Sequence, residues 1–222
     1  HYDTSVSPAQ TDSGIKESFL SSALHQQQLS CVWDIGCNLG RYSRIAAGSA
    51  DLVVAMDSDP LAINTLYENL KREGVRKVVP LVFNVADPSP AIGWRCQERP
   101  PLWQRCHPDL ILMLAVIHHL VLQENLLLAD VLQWVADFQA DLIIEFVDRT
   151  DPQIQQMLSN RSDTVADYSR ENFLRELERR FRIIRQQNLP GGTRTLFHVT
   201  PLQRTNPRKL DSSAWTDASS RI

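Results

Sequence analysis

Five runs of uninterrupted apolar character, "CVWDIG", "DLVVAMD", "VVPLVFN", "DLILMLA" and "DLIIEFV", recur along the chain, most of them separated by helical stretches. A strand that is half solvated alternates apolar and polar residues, whereas one covered on both faces reads as a continuous apolar run. The repetition therefore predicts an α/β protein whose parallel sheet lies between two layers of helices. Ahead of the first run, "IKESFLSSALHQQQL" carries Ile15, Phe19, Leu20 and Leu24 at helical spacing. "RYSRIAAGS" reads as a helix ended by Gly48, and "DPLAINTLYENLKREG" as one with Pro60 in its first turn and Gly74 at its end. "LLLADVLQWVADF" supplies a helix between the fourth and fifth strands, while the Pro- and Trp-rich stretch 87–108 reads as an ordered loop. Near the end, "DYSRENFLRELERRF" is a helix with Asp167 or Ser169 placed to cap it. Two further strand-like runs flank Pro190-Gly191-Gly192 as a hairpin, which inserts one antiparallel strand into the sheet.

A chain of 222 residues, 43% apolar and 22% charged, is long enough for one domain with a sizeable core. The expected organisation is a flexible lead-in over 1–14, a folded domain over 15–202 and a disordered tail over 203–222, rich in Ser, Thr, Asn and Arg. A formal charge of -3 gives no broad attraction to nucleic acid or to an anionic membrane. The four cysteines form no disulfide framework, which favours a reducing cytoplasm. Cys96, Cys106 and His107 lack the paired short spacings of a zinc site, so no metal is expected. No apolar run approaches the about 20 residues that span a bilayer. Because the first residue is His1 rather than Met, the chain reads as a trimmed or partial polypeptide.

Ligands of open α/β sheets sit beyond the carboxyl ends of the strands. Asp34, Asp57, and Asn84 with Asp87 follow the first three strands there. Asp57 offers two acceptor oxygens, the number a ribose diol needs. The turn D-I-G-C-N-L-G departs from the dinucleotide fingerprint G-x-G-x-x-G by placing Asp34 where the first glycine belongs, and no Lys-Ser/Thr follows Gly40 as in a P-loop. A carboxylate repels a diphosphate and attracts an amino group or sulfonium. The expected ligand is cationic.

"VWDIGCNLG", "VVAMDSDP" and "LILMLAVIHHL" resemble the class I S-adenosylmethionine-dependent methyltransferases, over about Lys16 to Thr200. The resemblance implies a Rossmann-like three-layer sandwich with a seven-stranded, mostly parallel sheet and a C-terminal antiparallel hairpin strand. It implies S-adenosyl-L-methionine as methyl donor and S-adenosyl-L-homocysteine as product. It also implies cofactor contacts from Asp34, Gly36, Cys37, Gly40, Asp57, Ser58, Asn84, Val85 and Leu114. A narrower similarity, to a bacterial subgroup related to nodulation host-specificity proteins, rests on Asp87–Trp94, Ala115–Leu120, Ile144–Val147 and Arg161–Tyr168. In that subgroup the methyltransferase part often follows a long N-terminal region, absent here. The acceptor stays open: an O or N nucleophile of a small molecule, with a nucleic-acid or protein methyltransferase and a non-catalytic cofactor-binding domain as rivals.

Three residues are candidates for moving a proton. His118 and His119 follow the fourth strand and titrate near neutrality, although packing and capping compete as explanations. Glu145 lies in or just past the fifth strand, where a buried carboxylate needs a partner such as Arg149, Arg161 or a substrate ammonium. Arg161, Asp163, Asp167 and Tyr168 read either as cap and surface ion pair or as a substrate lid. Trp94 and Trp103 either wall an acceptor or stiffen their loop, and Cys37 is a small filler of its turn. The N-P-P-Y-type motif of amino-group DNA methyltransferases and the carboxylates of metal-dependent catechol-type enzymes are both missing from the sequence.

Overall fold

The computed structural model describes residues 12–159 and 167–203, which form one seven-stranded sheet with helices on both faces. In chain order the elements are α1 (Asp12–Leu24), β1 (Leu29–Ile35), α2 (Arg41–Ala46), β2 (Ala50–Asp57), α3 (Pro60–Glu73), β3 (Val78–Val82), α4 (Leu102–Arg105) and β4 (Leu110–Met113). They continue with α5 (Ile117–Leu122), α6 (Leu128–Asp137), β5 (Asp141–Val147), α7 (Pro152–Leu158), α8 (Arg170–Glu178), β6 (Phe181–Asn188) and β7 (Arg194–Pro201). The sheet order is β3-β2-β1-β4-β5-β7-β6, in which β7 alone runs antiparallel to its neighbours. The hairpin inserts one antiparallel strand, as its sequence predicts; the structure shows that it is the second, β7, and that it lies beside β5.

Each apolar run divides its side chains between two layers, because successive residues of a strand point to opposite faces. Trp33, Ile35, Met56, Ile111, Met113, Ile144 and Phe146 pack toward α5, α6, α7 and α8, meeting Leu120, Leu132, Ile154 and Phe173. Val32, Val53, Ala55, Leu112 and Ile143 pack toward α1, α2 and α3, meeting Phe19, Leu20, Ala46 and Leu66. Asp34 and Glu145 share the parity of Val32 and Ile143, so their carboxylates enter the second layer.

The local signals act where expected. Asp59 caps α3 by accepting from the Leu61 amide at 2.8 Å, Pro60 opens the helix, and Gly74 closes it at φ 70°. Ser169, rather than Asp167, caps α8, accepting from the Asn172 amide at 3.1 Å. Asp167 holds the Asn172 side chain and the Leu128 amide instead. Helix α1 starts at Asp12, inside the stretch read as a lead-in. Stretch 87–108 is ordered by the Ile92–Arg99 antiparallel bridge and by α4. Helices α5 and α7 were not anticipated: at 6 and 7 residues they are too short for a periodic signature. Residues 1–11, Arg161, Asp163 and 204–222 lie outside the described residues.

Tyr168 is wholly buried, stacks on Phe146 with ring centroids 5.3 Å apart, and donates its hydroxyl to the Val147 carbonyl at 2.7 Å. It ties the start of α8 to the end of β5, which is a core role rather than that of a lid. Tyr168→Phe should lower the unfolding free energy by about 1–2 kcal/mol in urea titrations, because it strands a buried carbonyl. Wild-type stability in that variant would contradict this assignment.

Candidate active site

Three connections meet at the carboxyl ends of the parallel strands. After β1 the chain turns through Gly36 at φ 74°, where the Gly36 and Cys37 amides both donate to the Met56 carbonyl, at 2.8 and 2.9 Å. A Cβ on Gly36 would run into the Val116 side chain, so only glycine lets this turn lie against the segment after β4. At the end of β2, the Asp57 carboxylate accepts from the Asn38 amide at 2.8 Å through one oxygen and from the Asp59 amide at 3.0 Å through the other. After β3, the Asn84 side chain accepts from the Ala86 amide at 2.9 Å and closes a tight turn. Beyond β4, Ala115 adopts φ 57°, a conformation costly for a residue with a Cβ and typical of functional clefts.

These connections frame a hollow of about 640 Å³. Of the residues singled out by sequence, Gly36, Cys37, Asp57, Ser58, Asn84, Val85, Leu114 and His119 line it. Asp34, Gly40, His118 and Glu145 do not. Lys16, Tyr42, Phe83 and Gln123 join the wall without having been anticipated. Gln123 stands one helical turn beyond His119, a spacing that only becomes meaningful once α5 is known to be a helix. Lys16 carried no sequence signal, because it comes from α1, far away in sequence.

Asp34 sits behind the turn rather than in it. Its buried side chain accepts from the Ser43 hydroxyl in α2. Burial raises its pKa to about 6, against the Ser43 hydrogen bond that lowers it. The carboxylate expected from sequence to meet a cationic ligand thus lies off the wall of the hollow. Strand parity turns it toward α2, and the negative charge facing the hollow beside the turn is that of Asp57. Gly40 is likewise structural: it adopts φ 73° and its missing Cβ makes room for Leu66.

Glu145 is wholly buried and ion-paired with Lys16 at 2.7 Å and Arg194 at 3.6 Å. These two cations take the place proposed from sequence for Arg149 or Arg161. Arg194 also grips Asp151 at 2.8 Å, which holds that carboxyl down at about 2. The two adjacent histidines have different settings. His118 is buried in the core, and desolvation followed by the neighbouring His119, Arg194 and Lys16 charges drives its pKa down to about 3, so the ring is neutral. His119 is exposed at the hollow, with its Nδ1 2.7 Å from the Gln123 Oε1. Cys37 is buried and its thiol pushed up by burial and by Asp34, as suits a filler rather than a nucleophile. Trp94 is 78% exposed and, like Trp103, is absent from the wall, so neither aromatic shapes the hollow.

The topology is the fold of solved S-adenosylmethionine-dependent methyltransferases. The N-methyltransferase NodS of Bradyrhizobium japonicum WM9, solved in complex with S-adenosyl-L-homocysteine, superposes with a TM-score of 0.59 at 14% identity, over 90% of each chain. The [4+2]-cyclase SpnF shares the fold with a TM-score of 0.59 at 8% identity, over 84% of this chain and 80% of its own. In sequence the chain is similar to a particular protein, the nodulation protein NoeA of Rhizobium meliloti (strain 1021). The two are 32% identical over 183 residues, which is 82% of this chain and 38% of that protein. The chain therefore spans well under half the length of that relative. No family model matches it. No described helix is long and apolar enough to cross a membrane.

The buried acid and the buried imidazole give opposite pH dependences. Folded Asp34, at about 6 against an ordinary 3.8, binds its proton more tightly than the unfolded chain does. Its contribution to stability is therefore greatest at low pH and falls as pH rises across that window. His118, at about 3 against 6.5, binds its proton more weakly when folded, so stability falls as pH drops below 6.5. Asp34→Asn removes the first effect and leaves the second. Between pH 4 and 7 its stability relative to wild type should shift in its favour by about 2–3 kcal/mol, read from urea midpoints at each pH. A difference that is flat with pH would refute the burial argument.

Proposed function

We propose that the protein is a methyltransferase that binds S-adenosyl-L-methionine in this hollow and methylates an O or N nucleophile of a small molecule. The observation that carries the reading is the Gly36 turn packed on Val116 beside the Asp57 carboxylate, at the mouth of a hollow of about 640 Å³. Each Asp57 oxygen accepts one amide and keeps a second acceptor site, enough for two donors of a ribose. Asn84 and Val85, on the adjoining strand end, suit the edge of a base, and Ser58, Cys37 and Leu114 complete the wall. The bound cofactor supplies an electrophilic methyl group on a sulfonium.

The chain's own part is to hold the acceptor in line and to receive its proton. We assign that proton to His119. With the Gln123 oxygen facing Nδ1, the ring donates there and keeps a lone pair on Nε2 at the hollow. His118 is too deeply buried to accept a substrate proton, and Glu145 is committed to Lys16 and Arg194. A small acceptor is supported by charge: the two cations of the wall, Lys16 and Arg41, pair with Glu145 and Glu17 rather than forming a basic track. The shared fold of a [4+2]-cyclase makes turnover, and not cofactor affinity alone, the discriminating measurement.

Calorimetry of the purified protein with S-adenosyl-L-homocysteine should show one site, and Asp57→Ala should weaken it by about 1–3 kcal/mol. Absence of binding to the wild type would end this reading. With labelled S-adenosyl-L-methionine and a small-molecule extract as acceptor pool, His119→Ala should lower methyl transfer by roughly 100-fold or more. His118→Ala should mainly lower stability. Full transfer by the His119 variant would exclude it as the base.

A further inference from the structure

At the opposite end of the sheet from the hollow, two cysteines far apart in sequence lie side by side. Cys31 opens the apolar part of β1 and is buried, while Cys106 follows α4 in the β3–β4 connection and is half-buried. Their sulfur atoms are 2.8 Å apart across 75 residues of sequence. The backbone around them holds this approach independently of the sulfurs. The Asp109 carboxylate accepts from the Ser30 and Cys31 amides, at 2.6 and 3.0 Å, and the Asp109 amide donates to the Cys31 carbonyl at 2.8 Å. Residues just after Cys106 are thereby laid along the start of β1.

We infer that Cys31 and Cys106 are a thiol pair built to be oxidised to an intramolecular disulfide by a small disulfide. With a small disulfide as oxidant, the Cys106 thiolate attacks one of its sulfurs and expels one thiolate, leaving a mixed disulfide. The Cys31 thiolate then attacks the Cys106 sulfur and expels the second. Two S–H bonds are lost and one S–S bond forms. The two protons go to solvent or to the leaving thiolates, and the oxidant takes up two electrons. Exposure decides the order, since Cys106 faces solvent on one side whereas burial raises the Cys31 thiol. The link would staple the whole β3–β4 connection to the first strand and close a long loop in the unfolded chain, which is where a disulfide gains most. The pair touches no wall of the hollow, so this site is independent of the methyl-transfer reading.

The test equilibrates the full chain with reduced and oxidised glutathione at set ratios, quenches with acid and an alkylating agent, and maps linked peptides by mass spectrometry. A Cys31–Cys106 peptide should accumulate with loss of two hydrogens from the intact mass. The unfolding midpoint of the oxidised protein should rise by about 5 °C. Cys106→Ser should abolish both changes, and Cys96→Ser, altering an exposed cysteine outside the pair, should leave both intact. Linkage through Cys37 or Cys96, or a glutathione adduct on Cys106 that Cys31 fails to resolve, would overturn the assignment. An oxidised form with an unchanged midpoint would overturn the staple.

Discussion

One carboxylate holds the site together. Asp57 ends β2 and accepts amides from two different connections, Asn38 in the turn after β1 and Asp59 at the start of α3. Charge-assisted bonds of this kind are stronger than neutral ones, and each amide would otherwise lack a partner in the turn. The same group faces the hollow. Its geometry explains why the glycine turn and the second strand must be read as one unit. The Gly36 and Cys37 amides reach the Met56 carbonyl next door, so turn and strand end are bonded through backbone as well as side chain.

The layer behind the turn holds two buried acids. Asp34 and Glu145 point toward α1 and α2, and each has a different solution to the cost of burial. Asp34 is bonded to Ser43, and burial raises its proton affinity against that hydrogen bond. Glu145 stays beside two cations, Lys16 of α1 and Arg194 of β7, so the ion pairs clasp the first helix to the last strand across the sheet. Removing one partner of such a pair costs far more than the pair contributes. Lys16 also forms part of the wall of the hollow, so the clasp fixes one side of the site.

The divergence of His118 and His119 follows from helix geometry. Neighbours in a helix point about 100° apart, so α5 sends one ring into the core, where it is neutral, and the other to the hollow, where Gln123 one turn on can orient it. The fold itself does not choose the reaction, because a cyclase and an N-methyltransferase both superpose on it. Among the residues that the sequence offers for moving a proton, His119 is the one that lines the hollow.

The order of strands and helices, the antiparallel insertion, the glycine turn, and Asp57 and Asn84 at strand ends were all legible in the sequence. They depend on local physics: continuous apolar runs, residues able to adopt positive φ, caps, and the rule that strand ends hold the ligand. The short helices α5 and α7 were not, since six or seven residues carry no period. Nor was the setting of Asp34, which sequence placed against the ligand and packing placed behind it. Tertiary structure alone decided that Lys16 meets Glu145, that Arg194 joins them, and that Cys31 touches Cys106. Those contacts unite residues whose separation along the chain leaves no trace in composition or spacing. They exist because the sheet lays distant segments side by side, and only the folded layers select which side chains then meet.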